Sequence, residues 1–204
     1  MSKQPWEVPD PPPVGDATAD ITFRAVGAAL SNWEWFEGNL SLTFSFLIGA
    51  GYGNVAASRA YGSVETFRGR ATMIQRAAEV YFRHDADDQM QAGLEEVLNR
   101  ALNQLSARRN EIAHGIVQPF YATEDFKSVH KGFVLYPPFY ATRKRKLADM
   151  PPLTDITITP TFVYSSVEID GFGRLFGELA NKAIDTLTLL ARREQTRATA
   201  SMRR

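Results

Sequence analysis

Ser106-Ala107-Arg108-Arg109-Asn110-Glu111-Ile112-Ala113-His114-Gly115 closes a long amphipathic run, and the spacing predicts one helix from about Asp88 to about Val117. Leu94, Leu98, Ala101, Leu105, Ile112 and Ile116 recur at the intervals of a single buried stripe. Asn103, Ala107, Asn110 and His114 fall on the other side of that helix. Asn110 and His114 are four residues apart and therefore project from one face. Arg109 precedes His114 by five positions, about 140° around an ideal helix, so it leans toward the core edge. The two would meet at one phosphate through the long reach of arginine, a distorted last turn, or pairing across a dimer. A lone helical histidine is by default a surface or core residue, and the core version fits poorly because His114 lies off the apolar stripe.

Working outward, the flanking segments repeat the helical period. Asp16 or Asp20 can cap a first helix that runs to about Ile48, with Val26, Leu30, Trp33, Leu40, Phe44 and Leu47 on its main stripe. Trp35, Leu42 and Phe46 form a second stripe, as expected of a helix central in its bundle or shared with another subunit. Gly49-Ala50-Gly51-Tyr52-Gly53 reads as a turn, since the strand and the Lys-Ser/Thr of a phosphate loop are both missing. A short helix from Asn54 to Tyr61 follows, and Ser63 is the expected cap of a helix through about Phe82. Val64, Phe67, Ala71, Ile74, Ala78 and Tyr81 mark the buried side of that helix, and Arg59, Arg68, Arg70, Arg76 and Arg83 make the region locally basic. His84-Asp85-Ala86-Asp87-Asp88 is a turn with Asp87 or Asp88 as the next cap, and it falls short of a metal-ligand set.

From Gln118 to Tyr164 the character changes. Prolines separate short β-prone runs at 132–136, 139–142, 156–159 and 161–164. Arg143-Lys144-Arg145-Lys146 follows Phe139 and Tyr140, a grouping that suits phosphate contact plus base stacking, or equally a charged hairpin tip. Ser165 or Ser166 then caps a last helix to about Arg193, with Val167, Phe172, Leu175, Phe176, Leu179, Ala183, Leu187 and Leu190 available to the core. The expected fold class is therefore all-α: a helical bundle of four to five helices with a small β-rich hairpin insertion before the last helix. Residues 1–15 form a Pro-rich disordered arm, 16–193 a single helical domain with the insertion at 118–164, and 194–204 a basic tail.

Composition narrows the chemistry. Twenty-three basic residues balance twenty-three acidic ones, so a local site fits better than an avid polyanion-binding surface. There is no cysteine, which excludes disulfides, thiol catalysis and cysteine-ligated zinc. The N-terminus lacks the apolar core of a signal peptide, and no apolar run approaches the roughly 20 residues of a membrane span. A cytoplasmic protein with no membrane partner is expected.

The order Arg109-Asn110-x-x-x-His114, late in a long helix and followed by Gly115, resembles the signature of the HEPN superfamily of helical RNases and nucleotide-binding domains. The resemblance covers about the helical two-thirds of the chain and leaves out the Pro-rich arm and residues 118–164. It implies a small helical bundle acting as a homodimer on RNA or a nucleotide, and a metal-independent endoribonuclease with no cofactor. In that scheme His114 is general acid or base, Arg109 holds the phosphate, and Asn110 orients the imidazole or the phosphate; outside the resemblance, Arg143, Lys144, Arg145 and Lys146 are candidate RNA contacts from their charge and neighbouring aromatics. The same likeness also accommodates a noncatalytic RNA- or nucleotide-binding regulatory module, or a toxin held in check by an antitoxin partner.

Overall fold

The computed structural model describes residues 3–84, 87–124, 127–138 and 160–201. Within them the chain is all-α apart from one antiparallel hairpin before the last helix, as the apolar periodicities predict. The elements are α1 (Ala19–Leu47), α2 (Val55–Gly62), α3 (Phe67–His84), α4 (Asp88–Arg100), a π turn (Ala101–Leu105), α5 (Ser106–His114), β1 (Ile116–Glu124), β2 (Lys127–Tyr136) and α6 (Ser166–Ser201). Two compact units share them: Met1–Leu30 with Arg108–Phe172, and Ser31–Ala107 with Gly173–Arg204.

The second of these units is built around aromatic rings. Trp33 is fully buried and meets Phe36, Phe67 and Phe176 edge-on, with ring centroids 5.3, 4.9 and 5.3 Å away. One helical turn on, the buried carboxylate of Glu37 accepts hydrogen bonds from the Trp33 indole at 2.9 Å and the Tyr61 hydroxyl at 3.1 Å. Arg70 pairs with it at 3.1 Å, its guanidinium lying over the Tyr61 ring. Taking a carboxylate out of water is costly, and this one is compensated from three sides. Burial first, then the Glu37 charge, pushes the Tyr61 phenol above its ordinary range.

The helix starts follow local chemistry. Asn54 caps α2 by accepting from the Ala57 amide, and Asp87 caps α4 by accepting from Met90, each at 3.0 Å. For α3 the cap is Thr66, which accepts from the Gly69 amide at 3.1 Å, and not Ser63. Ser63 instead closes α2, its hydroxyl donating back to the Ala60 carbonyl at 2.7 Å. The turn between α1 and α2 puts Gly49, Gly51 and Gly53 at φ of 74°, 76° and 69°, a backbone region where a side chain is strained. The second stripe on α1 divides: Phe46 is buried, Leu42 is half-buried, and Trp35 is 61% exposed.

In the other unit the hairpin organises the packing. β1 and β2 pair from Ile116 opposite Tyr136 to Glu124 opposite Lys127, with an irregularity between Pro119 and Tyr121. Pro119 is opposite Phe133 while Tyr121 is opposite His130, so β2 advances three residues where β1 advances two. β2 is also bridged on its far side by Asp16 at Phe133 and by Tyr164 at Leu135. The end of the Pro-rich arm is thus held: the Gly15 amide donates to Lys131 and Asp16 exchanges backbone bonds with Phe133, at 2.7 to 2.8 Å. A Cβ on Gly15 would stand 2.5 Å from the Phe133 carbonyl oxygen, and one on Gly132 2.5 Å from that of Asp16. Only glycine permits the two backbones to approach so closely.

The Asp16 side chain serves two helices. Its carboxylate accepts from Thr22 of α1 at 2.6 Å, and from the Ser166 amide and hydroxyl at 2.9 and 2.6 Å, which fixes the start of α6. Ser165 and Glu168 add a reciprocal cap there, the Ser165 amide donating to the Glu168 carboxylate at 2.7 Å.

Several boundaries differ from expectation. The motif helix stops at His114, and Ile116, placed on the core stripe by the wheel, is a strand residue 40% exposed. Residues 116–124 form β1, where the sequence reading ends the helix at about Val117 and places its first β-prone run at 132; among the described residues β1 pairs only with β2, and a strand with one free edge tolerates proline. The run at 132–136 lies within β2, whereas of 161–164 only Tyr164 makes a bridge. α6 runs to Ser201, past Arg193 and into the expected tail. Val167 is 72% exposed on α6 and Ile169 is buried in its stead. The runs at 139–142 and 156–159 lie outside the described residues. Among the described residues no helix is long and apolar enough to cross a membrane.

Candidate functional site

α4, the π turn and α5 follow one another without a break from Asp88 to His114. Met90, Leu94, Val97, Leu98, Ala101, Leu105 and Ile112 are buried, whereas Asn103, Ala107, Asn110 and His114 are exposed. The faces therefore fall where the spacing puts them. The Ser106 amide bonds to the Ala101 carbonyl, and its hydroxyl bonds to Leu102 at 3.0 Å. A π turn takes in one residue more than an α turn, so it resets the phase of everything after it. All the motif residues lie on the far side of that reset.

At the end of α5, the half-buried Arg109 donates from its guanidinium to the Asn110 side-chain oxygen at 3.3 Å. Asn110 and His114 stand exposed one turn apart. Among the described residues the His114 imidazole has no hydrogen-bond, ion-pair or ring partner, so the three side chains are neighbours on one helix end without forming a closed triad. The cluster Arg143, Lys144, Arg145 and Lys146 lies outside the described residues.

Gly115 explains how the helix can end there. A Cβ at this position would lie 2.6 Å from Cγ of Leu135 and 2.9 Å from the Glu111 carbonyl. The chain leaves the helix pressed against β2, and Leu135 occupies the space a side chain would need.

The motif's other polar residues hold α5 in place. Arg108 pairs with Glu111 at 2.9 Å, the Tyr164 hydroxyl donates to Glu111 at 2.6 Å, and Arg108 donates to that hydroxyl at 3.3 Å. Tyr164 is fully buried, stacked on Phe162 and edge-on to Phe172, and its backbone is bonded to Leu135. Burial first, then Glu111, raises the Tyr164 phenol above its ordinary range. Sequence reasoning gave Arg108, Glu111 and Tyr164 no role at the site. The opposite charges three apart were a legible signal for the first two; nothing local points to Tyr164.

Among the described residues no group of three or more His, Asp or Glu is arranged to hold a metal ion. No family model, curated protein or solved structure matches the chain, and the site is therefore characterised by its own geometry.

Proposed function

We propose that the chain is an RNA-directed endoribonuclease resembling the HEPN superfamily, cutting without a metal through Arg109, Asn110 and His114. The observation that carries the reading is the exposed Asn110–His114 face at the end of α5, with the Arg109 guanidinium held beside Asn110 at 3.3 Å. Such a face can present an imidazole and a cation to one phosphodiester. In the reaction the ribose 2′-OH loses its proton and its oxygen attacks the adjacent phosphorus. The P–O5′ bond breaks, and the leaving 5′-oxygen takes a proton. A 2′,3′-cyclic phosphate and a 5′-hydroxyl result. His114 transfers one of these protons, the imidazole being able both to accept and to donate one. Arg109 offsets the charge that grows on the phosphoryl oxygens, and Asn110 orients the imidazole or the phosphate. A homodimer supplies the second imidazole, with the exposed Trp35 on α1 as a contact for the second copy.

One observation favours a noncatalytic RNA- or nucleotide-binding module, including a toxin silenced by an antitoxin. Arg109 is tied to its helix neighbour Asn110, while among the described residues nothing orients His114. Incubating mixed RNA with the protein in excess chelator separates the two readings. Fragments with cyclic-phosphate ends, absent for His114→Ala, support the nuclease. Cleavage that persists in His114→Ala, or that requires a divalent ion, eliminates the mechanism. Binding without cutting selects the module.

A further inference from the structure

The hairpin that begins two residues after His114 carries rings that neither the motif nor the core uses. Tyr121, 56% exposed, meets His130 edge-on at 5.4 Å, and His130 meets Phe133 in the same way at 5.4 Å. His130 is itself exposed and Phe133 half-buried. The three rings share a face because of the irregularity in register. Residues 130 and 133 are three apart, a spacing that regular pleating would put on opposite faces, and the extra residue of β2 between them brings both to one side.

The charge on that face decides what can lie there. Pro119, Tyr121 and Thr123 of β1 stand opposite Phe133, His130 and Ser128 of β2, a set with no carboxylate, lysine or arginine. Glu124 follows next along β1, on the alternate side, and pairs with Lys131. The ring face is thus compatible with a polyanion but offers π surfaces in place of fixed cations. Cross-strand ring pairs do stabilise hairpins, yet for that purpose alone Tyr121 and His130 need not remain exposed.

We infer that this face is a stacking platform for the bases of single-stranded RNA, lying in the same compact unit as Arg109, Asn110 and His114. The inference rests on the RNA-directed reading above and adds to it the form of the substrate. Splayed bases stack on aromatic side chains whatever their identity, whereas a duplex keeps its base faces covered.

The test is fluorescence anisotropy with labelled oligouridylate and with an RNA duplex of equal length, across a salt series. The proteins are the wild type, Tyr121→Leu and Tyr121→Trp; leucine keeps the apolar bulk and removes the ring. Tyr121→Leu should weaken single-strand binding about tenfold, the loss expected of one stacked base. It should leave duplex binding and the slope of affinity against salt unchanged, because no phosphate contact is removed. Tyr121→Trp should bind at least as well as the wild type. If Tyr121→Leu does not fold by thermal melting, His130→Leu takes its place with the same expectation. A leucine variant that binds oligouridylate like the wild type overturns the platform while leaving the RNA reading standing. Equal losses for single strand and duplex, or a changed salt slope, also overturn it. A wild type that binds neither probe overturns the RNA-directed reading and the platform with it.

Discussion

Each compact unit contains an arginine, a glutamate and a tyrosine joined through the carboxylate, and the two trios differ in what surrounds them. Glu37 is 4% exposed and takes a further bond from the Trp33 indole, so Arg70 and Tyr61 close around a carboxylate well inside the helices. The side chain of Glu111 is 22% exposed and that of its partner Arg108 is 12% exposed, with Tyr164 beneath them. The chemistry is the same, but only the second trio draws two members, Arg108 and Glu111, from the helix that also carries Asn110 and His114. An Arg–Glu–Tyr constellation is therefore not a functional mark in this chain. The exposed side chains distinguish the two regions, and the bonds from buried Tyr164 to Arg108 and Glu111 hold the helix that presents them.

The largest effect should come from the deeper trio. Glu37→Ala leaves the Arg70 guanidinium, the Trp33 indole and the Tyr61 hydroxyl without their acceptor. Removing one partner of a buried pair costs about 3–5 kcal/mol. Arg70 retains 20% side-chain exposure, so the lower end, about 3 kcal/mol, is expected in urea denaturation. Glu111→Ala, nearer the solvent, should cost clearly less. Equal losses would break the comparison.

Next in size is the junction that ends the motif helix. Gly115→Ala drives a methyl to within 2.6 Å of the Leu135 side chain, an overpacking worth about 1–3 kcal/mol. Trimming the neighbour tests the cause. In the double variant with Leu135→Ala, part of the Gly115→Ala penalty should disappear, giving a coupling of about 1 kcal/mol. Strictly additive losses would mean that Leu135 is not what excludes a side chain there.

Tyr164→Phe should be milder at neutral pH, about 1–2 kcal/mol, since Glu111 keeps Arg108 as a partner. Its signature lies at high pH. The folded phenol is held protonated above the value of about 10 that it has in an unfolded chain. This contribution is fully present below pH 10 and is lost as the pH rises toward the folded value, where the unfolded state alone has released the proton. Tyr61, raised by burial and by Glu37, behaves in the same way. Wild-type stability should therefore fall above pH 10, and Tyr164→Phe or Tyr61→Phe should flatten part of that fall in melts run from pH 8 to 11. A variant that follows the wild-type curve throughout would remove that tyrosine from the account.

What could be read from the sequence divides along the same line as these trios. Helices announce themselves locally: the Leu94–Leu98–Leu105 stripe, and the caps Asn54 and Asp87, act within a few residues of where they stand. The exposed face holding Asn110 and His114 was legible for the same reason. Contacts between distant positions leave no local trace, and they decided the remainder. Asp16 looked like a cap for the nearest helix, yet its carboxylate serves Ser166, 150 positions away. Tyr164 looked like the end of a strand, and its hydroxyl reaches Glu111 across 53 positions. β1 was hidden by Pro119, because a proline argues against a central strand and the periodicity of one strand does not reveal that, among the described residues, it pairs on one side alone.

The smallest structural effect belongs to the residue that carries the largest role in the proposed function. His114→Ala removes an exposed imidazole that has no partner among the described residues, so stability should change by less than about 0.5 kcal/mol. General acid–base catalysis typically supplies about 10² to 10⁴ in rate, and a homodimer would lose both of its imidazoles at once. The variant should therefore melt with the wild type yet show no cleavage of mixed RNA in chelator. Arg109→Ala should also lose activity, but it should melt earlier, since its side chain is half-buried. The two variants together separate chemistry from folding. A His114→Ala protein that melts several degrees low would place the imidazole among the groups holding α5. A stable His114→Ala protein that still cuts would leave the exposed face of α5 without the chemistry proposed for it.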